Sequence, residues 1–115
     1  MELEYSLYLE PFVFCCLQTS SFADQDVIMA FREEEGMTYI VSQSSAEALG
    51  VDFDQIWAWI SVDTQTQLNA TGITAHIAAI FGAHKIPCNV VAAFHHDHLF
   101  VPFELGEEAL RVLRA

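Results

Sequence analysis

Apolar and polar positions alternate through much of the chain, and the alternation changes period at identifiable places. Tyr5, Leu7 and Leu9 alternate with Ser6, Tyr8 and Glu10, a period of two that predicts a strand ended by Pro11. "FVFCCLQ" is apolar on both faces and reads as a buried strand. "SFADQDVIMAFREEEG" reads as helical or irregular, with Asp24 or Asp26 as N-cap and Gly36 as stop. "MTYIVS" is the next strand, and Ser44-Ser45-Ala46-Glu47 has capping-box spacing before a short helix closed by Gly50.

Beyond the polar stretch "VDFDQ", Ile56, Ala58, Ile60 and Val62 share one face of a strand, and Trp57, Trp59, Ser61 and Asp63 share the other. After the loop "QTQLNATG", the period changes to that of a helix: Ile73, Ile77, Ile80 and Phe81 fall at i, i+4, i+7 and i+8. "IPCNVVAAF" and "HLFVPF" are strands joined across His95-His96-Asp97-His98. The last helix, "GEEALRVLRA", places Glu107 and Glu108 in its first turn and Arg111 and Arg114 in its last, matching the helix dipole. The second half is thus β-α-β-β-α, and the first a looser β-β-(α)-β-α. That order predicts an α+β, ferredoxin-like fold with helices on one face of an antiparallel sheet. Ile73, Ile77, Ile80, Phe81, Leu110 and Leu113 are expected in its core.

Charge narrows the partners. Sixteen acidic residues against four basic ones give a net charge of −12, a surface that repels nucleic acid and anionic membranes alike. The first residues, "MELEYSLYLEPFVF", are acidic where a signal peptide is basic, and no apolar run approaches spanning length. Cys15, Cys16 and Cys88 form an odd set without disulfide spacing, so reduced thiols and a cytoplasmic location are expected.

Five features are candidates for chemistry. Zinc needs three or four converging ligands, whereas in an extended segment His96 and His98 point one way and His95 and Asp97 the other. In a tight turn, Asp97 would instead accept backbone N–H groups. Cys88 opens an apolar strand without an oxyanion-hole signature, as a small buried hydrophobe does. Trp57 and Trp59 read as a packed face, and Glu33-Glu34-Glu35 as a solvated surface. Gly72 opens a helix whose first N–H groups lack intrahelical partners. Such a terminus favours a carboxylate, although a glycine there also relieves a tight strand-to-helix turn.

"REEEGMTYIV", "WAWISVDTQTQL", "ATGITAHIAAIF" and "IPCNVVAAFHHDHLFVPF" together resemble small bacterial ACT-domain proteins, related to CASTOR-type amino-acid sensors and to aspartate kinase regulatory domains. The resemblance covers residues 11–113. It implies two tandem ACT-like units: an abbreviated one over residues 1–54 and a more regular one over residues 55–115. It also implies a non-catalytic, cofactor-free regulatory protein that binds a small ligand, an amino acid, at a unit or subunit interface, as a homodimer. Carried over by position, the glycine turn is Gly72 and Ile73, and the strand after the helix is Asn89 and Val90. Asp97, Asp63 or Asn89 would meet the ammonium. The loop departs from the family: where many members have a Ser-Leu pair and an apolar residue before the glycine, this chain has Thr66-Gln67-Leu68 and Ala70-Thr71. The alternatives from other classes are a metal-binding protein using His95, His96, Asp97 and His98, and a purely structural interaction module.

Overall fold

Five consecutive elements of the second half form where the periodicity places them. They are β5 (Trp57–Val62), α2 (Ile73–Ala83), β6 (Asn89–Ala92), β7 (Asp97–Pro102) and α3 (Gly106–Arg114). The computed structural model describes residues 2–115. By contacts it divides into a larger unit, residues up to Leu9 together with Trp57–Ala115, and a smaller unit, Glu10–Ile56.

In the larger unit β7 lies between β5 and β6, and both pairings are antiparallel. The sixth element comes from the other end of the sequence. β1 (Tyr5–Leu7) pairs antiparallel with β5, Tyr5 opposite Val62 and Leu7 opposite Ile60. The strand order β1-β5-β7-β6 with two helices completes a ferredoxin-like arrangement. Further bonds fix the docking: Asp63 N–H donates to Glu4 O at 2.7 Å, and Glu4 N–H to Thr64 Oγ1 at 2.9 Å. Arg114, in the last turn of α3, donates from Nη2 to Tyr5 O at 2.9 Å. Ala58, Ile60 and Val62 point inward with Leu99 and Val101, against Ile77 and Phe81 of α2 and Ala109, Val112 and Leu113 of α3. Ile73, Ile80 and Leu110 are partly buried against the same cluster.

The smaller unit contains β2 (Phe12–Leu17), β3 (Met29–Glu33), β4 (Gly36–Ser42) and α1 (Gln43–Leu49), in strand order β3-β4-β2. Val13 and Cys15 face Val41 and Tyr39 across the β2–β4 ladder, forming a core with Phe22 and Ala46. Both Phe12 and Val13 are buried, so β2 is apolar on two faces as its sequence suggests.

Two expectations for this region are corrected. Residues 21–36 are neither one helix nor irregular throughout: a single 3₁₀ turn at Asp24–Asp26 precedes β3, which pairs with β4 through the hairpin turn Glu34-Glu35. As an edge strand with four of five residues exposed, β3 buries no alternating face that a sequence pattern would reveal. Gly36 starts a strand rather than stopping a helix. Its φ is 147°, and a Cβ there would lie 2.7 Å from Leu17 O, so only glycine fits. The cap of α1 lies two residues earlier than expected, with Ser42 Oγ accepting from Ser45 N–H at 3.1 Å.

All three cysteines are free. No helix among the described residues is long and apolar enough to cross a membrane.

Tyr5 is 6% exposed and belongs to the core of the larger unit. Tyr5→Ala is expected to lower unfolding free energy by about 3 kcal/mol, as for other buried aromatic truncations. Urea denaturation followed by tryptophan fluorescence checks it, since Trp57 and Trp59 lie on the partner strand.

Candidate functional site

The loop before α2 and the β6–β7 hairpin form the two walls of a small cleft in the larger unit. Gly72 sets the first wall. Its φ of 86° and ψ of −11° turn the chain into α2, and the first intrahelical bond runs from His76 N–H to Gly72 O at 2.9 Å. The N–H groups of Ile73, Thr74 and Ala75 therefore have no intrahelical acceptor, and no side chain caps them. A Cβ on Gly72 would meet nothing within 4 Å, so backbone conformation alone requires the glycine.

The hairpin sets the second wall. Ala92 pairs with Asp97, and Ala93 N–H donates to His96 O at 3.1 Å, leaving Phe94 and His95 at the tip. Asp97 is therefore the first residue of β7 rather than part of the turn. Residues 66–68 and Ala70 line the cleft from the loop, Ile73 and Thr74 from α2, and Ala92, Ala93 and Asp97 from the hairpin; its volume is about 50 Å³.

Strand parity decides which sequence-predicted residues meet there. Asp97 and Leu99 share the face turned toward the core, whereas His98 and Phe100 point the other way. Asp97 is only 8% exposed, and no described donor or cation forms a hydrogen bond or ion pair with its carboxylate. No side-chain oxygen among the described residues is both buried and unpartnered, so the Asp97 carboxylate keeps contact with solvent through the cleft. Ile73 and Asp97 share the cleft, with Gly72 immediately before it. Asn89, opposite Phe100, is exposed on the far face of the sheet, and Val90, opposite Leu99, packs against the core. Neither lines the cleft. Thr74, Ala92 and Ala93 do, and the sequence carries no signal for them, because short side chains on a helix start and a hairpin end have no periodic pattern.

The histidines hold the hairpin to β5 and the loop after it. His96 Nδ1 and Val62 O are 3.0 Å apart, a bond in which the ring nitrogen donates. His95 Nδ1 lies 3.1 Å from Gln65 Nε2, and Thr66 N–H reaches His95 O at 3.4 Å. Trp59 Nε1–H donates to His98 Nδ1 at 3.0 Å. Because indole only donates, His98 is the neutral tautomer protonated on Nε2. Among the described residues no group of three or more His, Cys, Asp or Glu side chains is placed to hold a metal ion. Each histidine of the cluster is engaged by a different neighbour instead.

Other titrating groups have structural explanations. Hydrogen bonds from Ser6 and from Ser61 Oγ, the latter at 2.7 Å, hold the Asp63 carboxyl below its usual value. Asp63 lies outside the cleft lining. Burial pushes the Cys88 thiol up to about 11, so it is protonated at neutral pH and inert as a nucleophile.

Each unit is an antiparallel sheet with helical elements, and the larger one carries a cleft at the N-terminus of α2. The chain belongs to the ACT domain family: the family's sequence profiles match residues 1–58 and again residues 52–115, giving two tandem ACT domains. A protein of unknown function from Vibrio cholerae, described as a possible transport protein, is 32% identical over 95% of this chain and 85% of its own, with a TM-score of 0.83. The ligand-free regulatory subunit of aspartate kinase from Thermus thermophilus shares the fold at 15% identity, over 96% of this chain and 93% of its own, with a TM-score of 0.65. The corresponding subunit from Thermus flavus gives a TM-score of 0.65 at 14% identity, over 96% of this chain and 94% of its own. Comparison with curated proteins gives no match.

His98 makes stability depend on pH in a predictable sense. Burial, and then neighbouring His96, hold its pKa below the usual 6.5, while Asp97 and Asp63 oppose the shift. The unfolded chain therefore takes up this proton at higher pH than the folded one. The contribution is complete above 6.5 and lost as pH falls below that value through the lowered folded pKa. His98→Gln keeps an acceptor for Trp59 but does not titrate. Urea midpoints measured between about pH 5 and 8 should decline with acidification less in this variant than in the unaltered chain.

Proposed function

We propose that this protein is a non-catalytic, cytoplasmic ligand-sensing module that binds an amino acid in the cleft between the Gly72 turn and the β6–β7 hairpin. Membership of the ACT domain family supports the regulatory, ligand-binding role. The observation that carries the site is the meeting of two features on one cleft: the Asp97 side chain, which no described donor engages, and the uncapped N-terminus of α2. An α-amino acid offers the matching pair of groups. Its ammonium would neutralise Asp97, and its carboxylate would take the unpaired N–H groups and positive dipole end of α2. Thr66 and Thr74 add hydroxyls to the lining.

Association of two copies belongs to the same reading. β6 is an edge strand whose four residues, Asn89 to Ala92, carry no charge, and edges that avoid pairing usually do carry one. The net charge of −12 disfavours nucleic acid and anionic lipid as partners.

A thermal-shift panel of the twenty amino acids tests the proposal: at least one should raise the melting temperature at millimolar concentration. Asp97→Asn keeps the shape but removes the negative charge, and should abolish that shift while the protein remains folded. A shift retained in this variant would remove Asp97 from the site.

Gly72→Ala separates the turn from the ligand. Its positive φ should cost about 1 kcal/mol of stability in urea unfolding. Open space around the added methyl group should leave the affinity of the folded fraction near that of the unaltered chain, as isothermal titration would show.

A further inference from the structure

We infer that the groove around the end of β1 docks a cationic segment of another protein, in which apolar residues are flanked by arginines. The buried Ala58 and the half-buried Leu7 and Phe103 form its floor, and the exposed Tyr8, Leu9, Glu104 and Glu107 its rim. It shares no residue with the cleft before α2, so the inference stands apart from the amino-acid reading.

The apolar part has no internal purpose. Leu7 and Phe103 pack against the core of the larger unit, which fixes the floor. Tyr8 N–H still donates to Trp59 O at 2.9 Å, but Leu9 lies beyond the ladder and is 86% exposed. The Tyr8 ring stacks on Trp59 with centroids 3.9 Å apart and is nonetheless 42% exposed. One side of it is thus held rigidly while the rest faces solvent. A continuous apolar surface with a polar rim is characteristic of a protein-binding site.

Charge selects the occupant. Neither Glu104 nor Glu107 forms an ion pair among the described residues; Arg111 pairs with Glu108 instead. The dipole of α3 accounts for a carboxylate at Glu107 but not for the leucine and tyrosine beside it. Arginine matches both sides of the rim: its planar guanidinium stacks on an aromatic ring while its N–H groups reach carboxylates. Lysine meets only the second need as well. No basic residue of the chain lines the groove. A second copy would bring sixteen acidic residues against four basic ones toward an acidic rim, so the partner is a different protein.

The test titrates the capped peptide Arg-Leu-Arg-Leu-Arg into the isotope-labelled full-length chain at low ionic strength, with Arg-Ser-Arg-Ser-Arg as the equally charged control. Amide shifts should concentrate at residues 7–9 and 103–107, and the leucine peptide should bind at least about fivefold more tightly, from partial burial of its apolar side chains. Tyr8→Leu should weaken it about two- to fivefold, the measure of an exposed cation–π contact. Glu104→Gln with Glu107→Gln should weaken it about fivefold. Glu34→Gln with Glu35→Gln makes the same charge change at the β3–β4 turn and should leave affinity within about twofold. Equal affinity for the two peptides, shifts spread over the Glu33–Glu35 hairpin, or equal losses in the two glutamine pairs would overturn the inference, since each means a general attraction to an acidic surface. A dimer in sedimentation that Tyr8→Leu dissociates would also overturn it, and assign the groove to a second copy. Should a variant not fold, the comparison of the two peptides on the unaltered chain decides by itself.

Discussion

The pairing of β1 with β5 is the constraint on which the larger unit rests. A β-α-β-β-α segment leaves backbone donors and acceptors of Ile60, Ser61 and Val62 without partners on the side away from β7. Buried backbone groups must find partners. Residues 5–7 supply them, and in doing so bring Tyr5 into the core and give Arg114 a carbonyl to bind. Ser6 also reaches Asp63 from the same strand, so β1 orders the exit of β5. That exit leads directly into the loop forming one wall of the cleft. The position of Thr66 and Gln67 thus depends on a strand nearly sixty residues away.

The opposite wall depends on register. Ala92 opposite Asp97 fixes the parity of the hairpin, and with it the side of the sheet on which every later residue emerges. A slip of one residue would turn Asp97 toward Trp59 and send His98 toward α2. Three hydrogen bonds guard against this: Trp59 to His98, His96 to Val62, and Gln65 to His95. The histidines therefore act on the cleft indirectly, as the fasteners that keep a carboxylate pointing into it. Their chemistry is that of placement.

Much of this was legible in the residues. The 3.6-residue spacing of Ile73, Ile77, Ile80 and Phe81 and the alternation from Ile56 to Val62 are strong local signals, because each reports a face buried against something. β3 gave no such signal. It lies at an edge with Phe31 64% exposed, and its pairing is enforced by Gly36 and the Glu34-Glu35 turn. The partner of β1 was equally hidden: alternation identifies a strand but is silent about which distant segment completes its ladder. In the site, Gly72 and Ile73 could be found because a glycine before an amphipathic run has a physical meaning. Asn89 could not be placed, since Val90 and Val91 are both apolar and the pattern is the same for either face of β6 turned inward. Only the pairing of Asn89 with Phe100 resolves it.

The long return of β1 also has a consequence for synthesis on the ribosome. Ser6 and Asp63 are 57 positions apart, and everything between them includes the whole smaller unit. At ~5–20 residues per second, β1 emerges about 3–11 s before the strand it will join has been made. During that interval Glu10–Ile56 has all its own strands and can close its ladder, whereas β1 must wait. The acidic residues Glu2, Glu4 and Glu10 flank the waiting segment, and their charge keeps an unpaired strand soluble and apart from other nascent chains. β1 is thus made before the smaller unit and paired only after it.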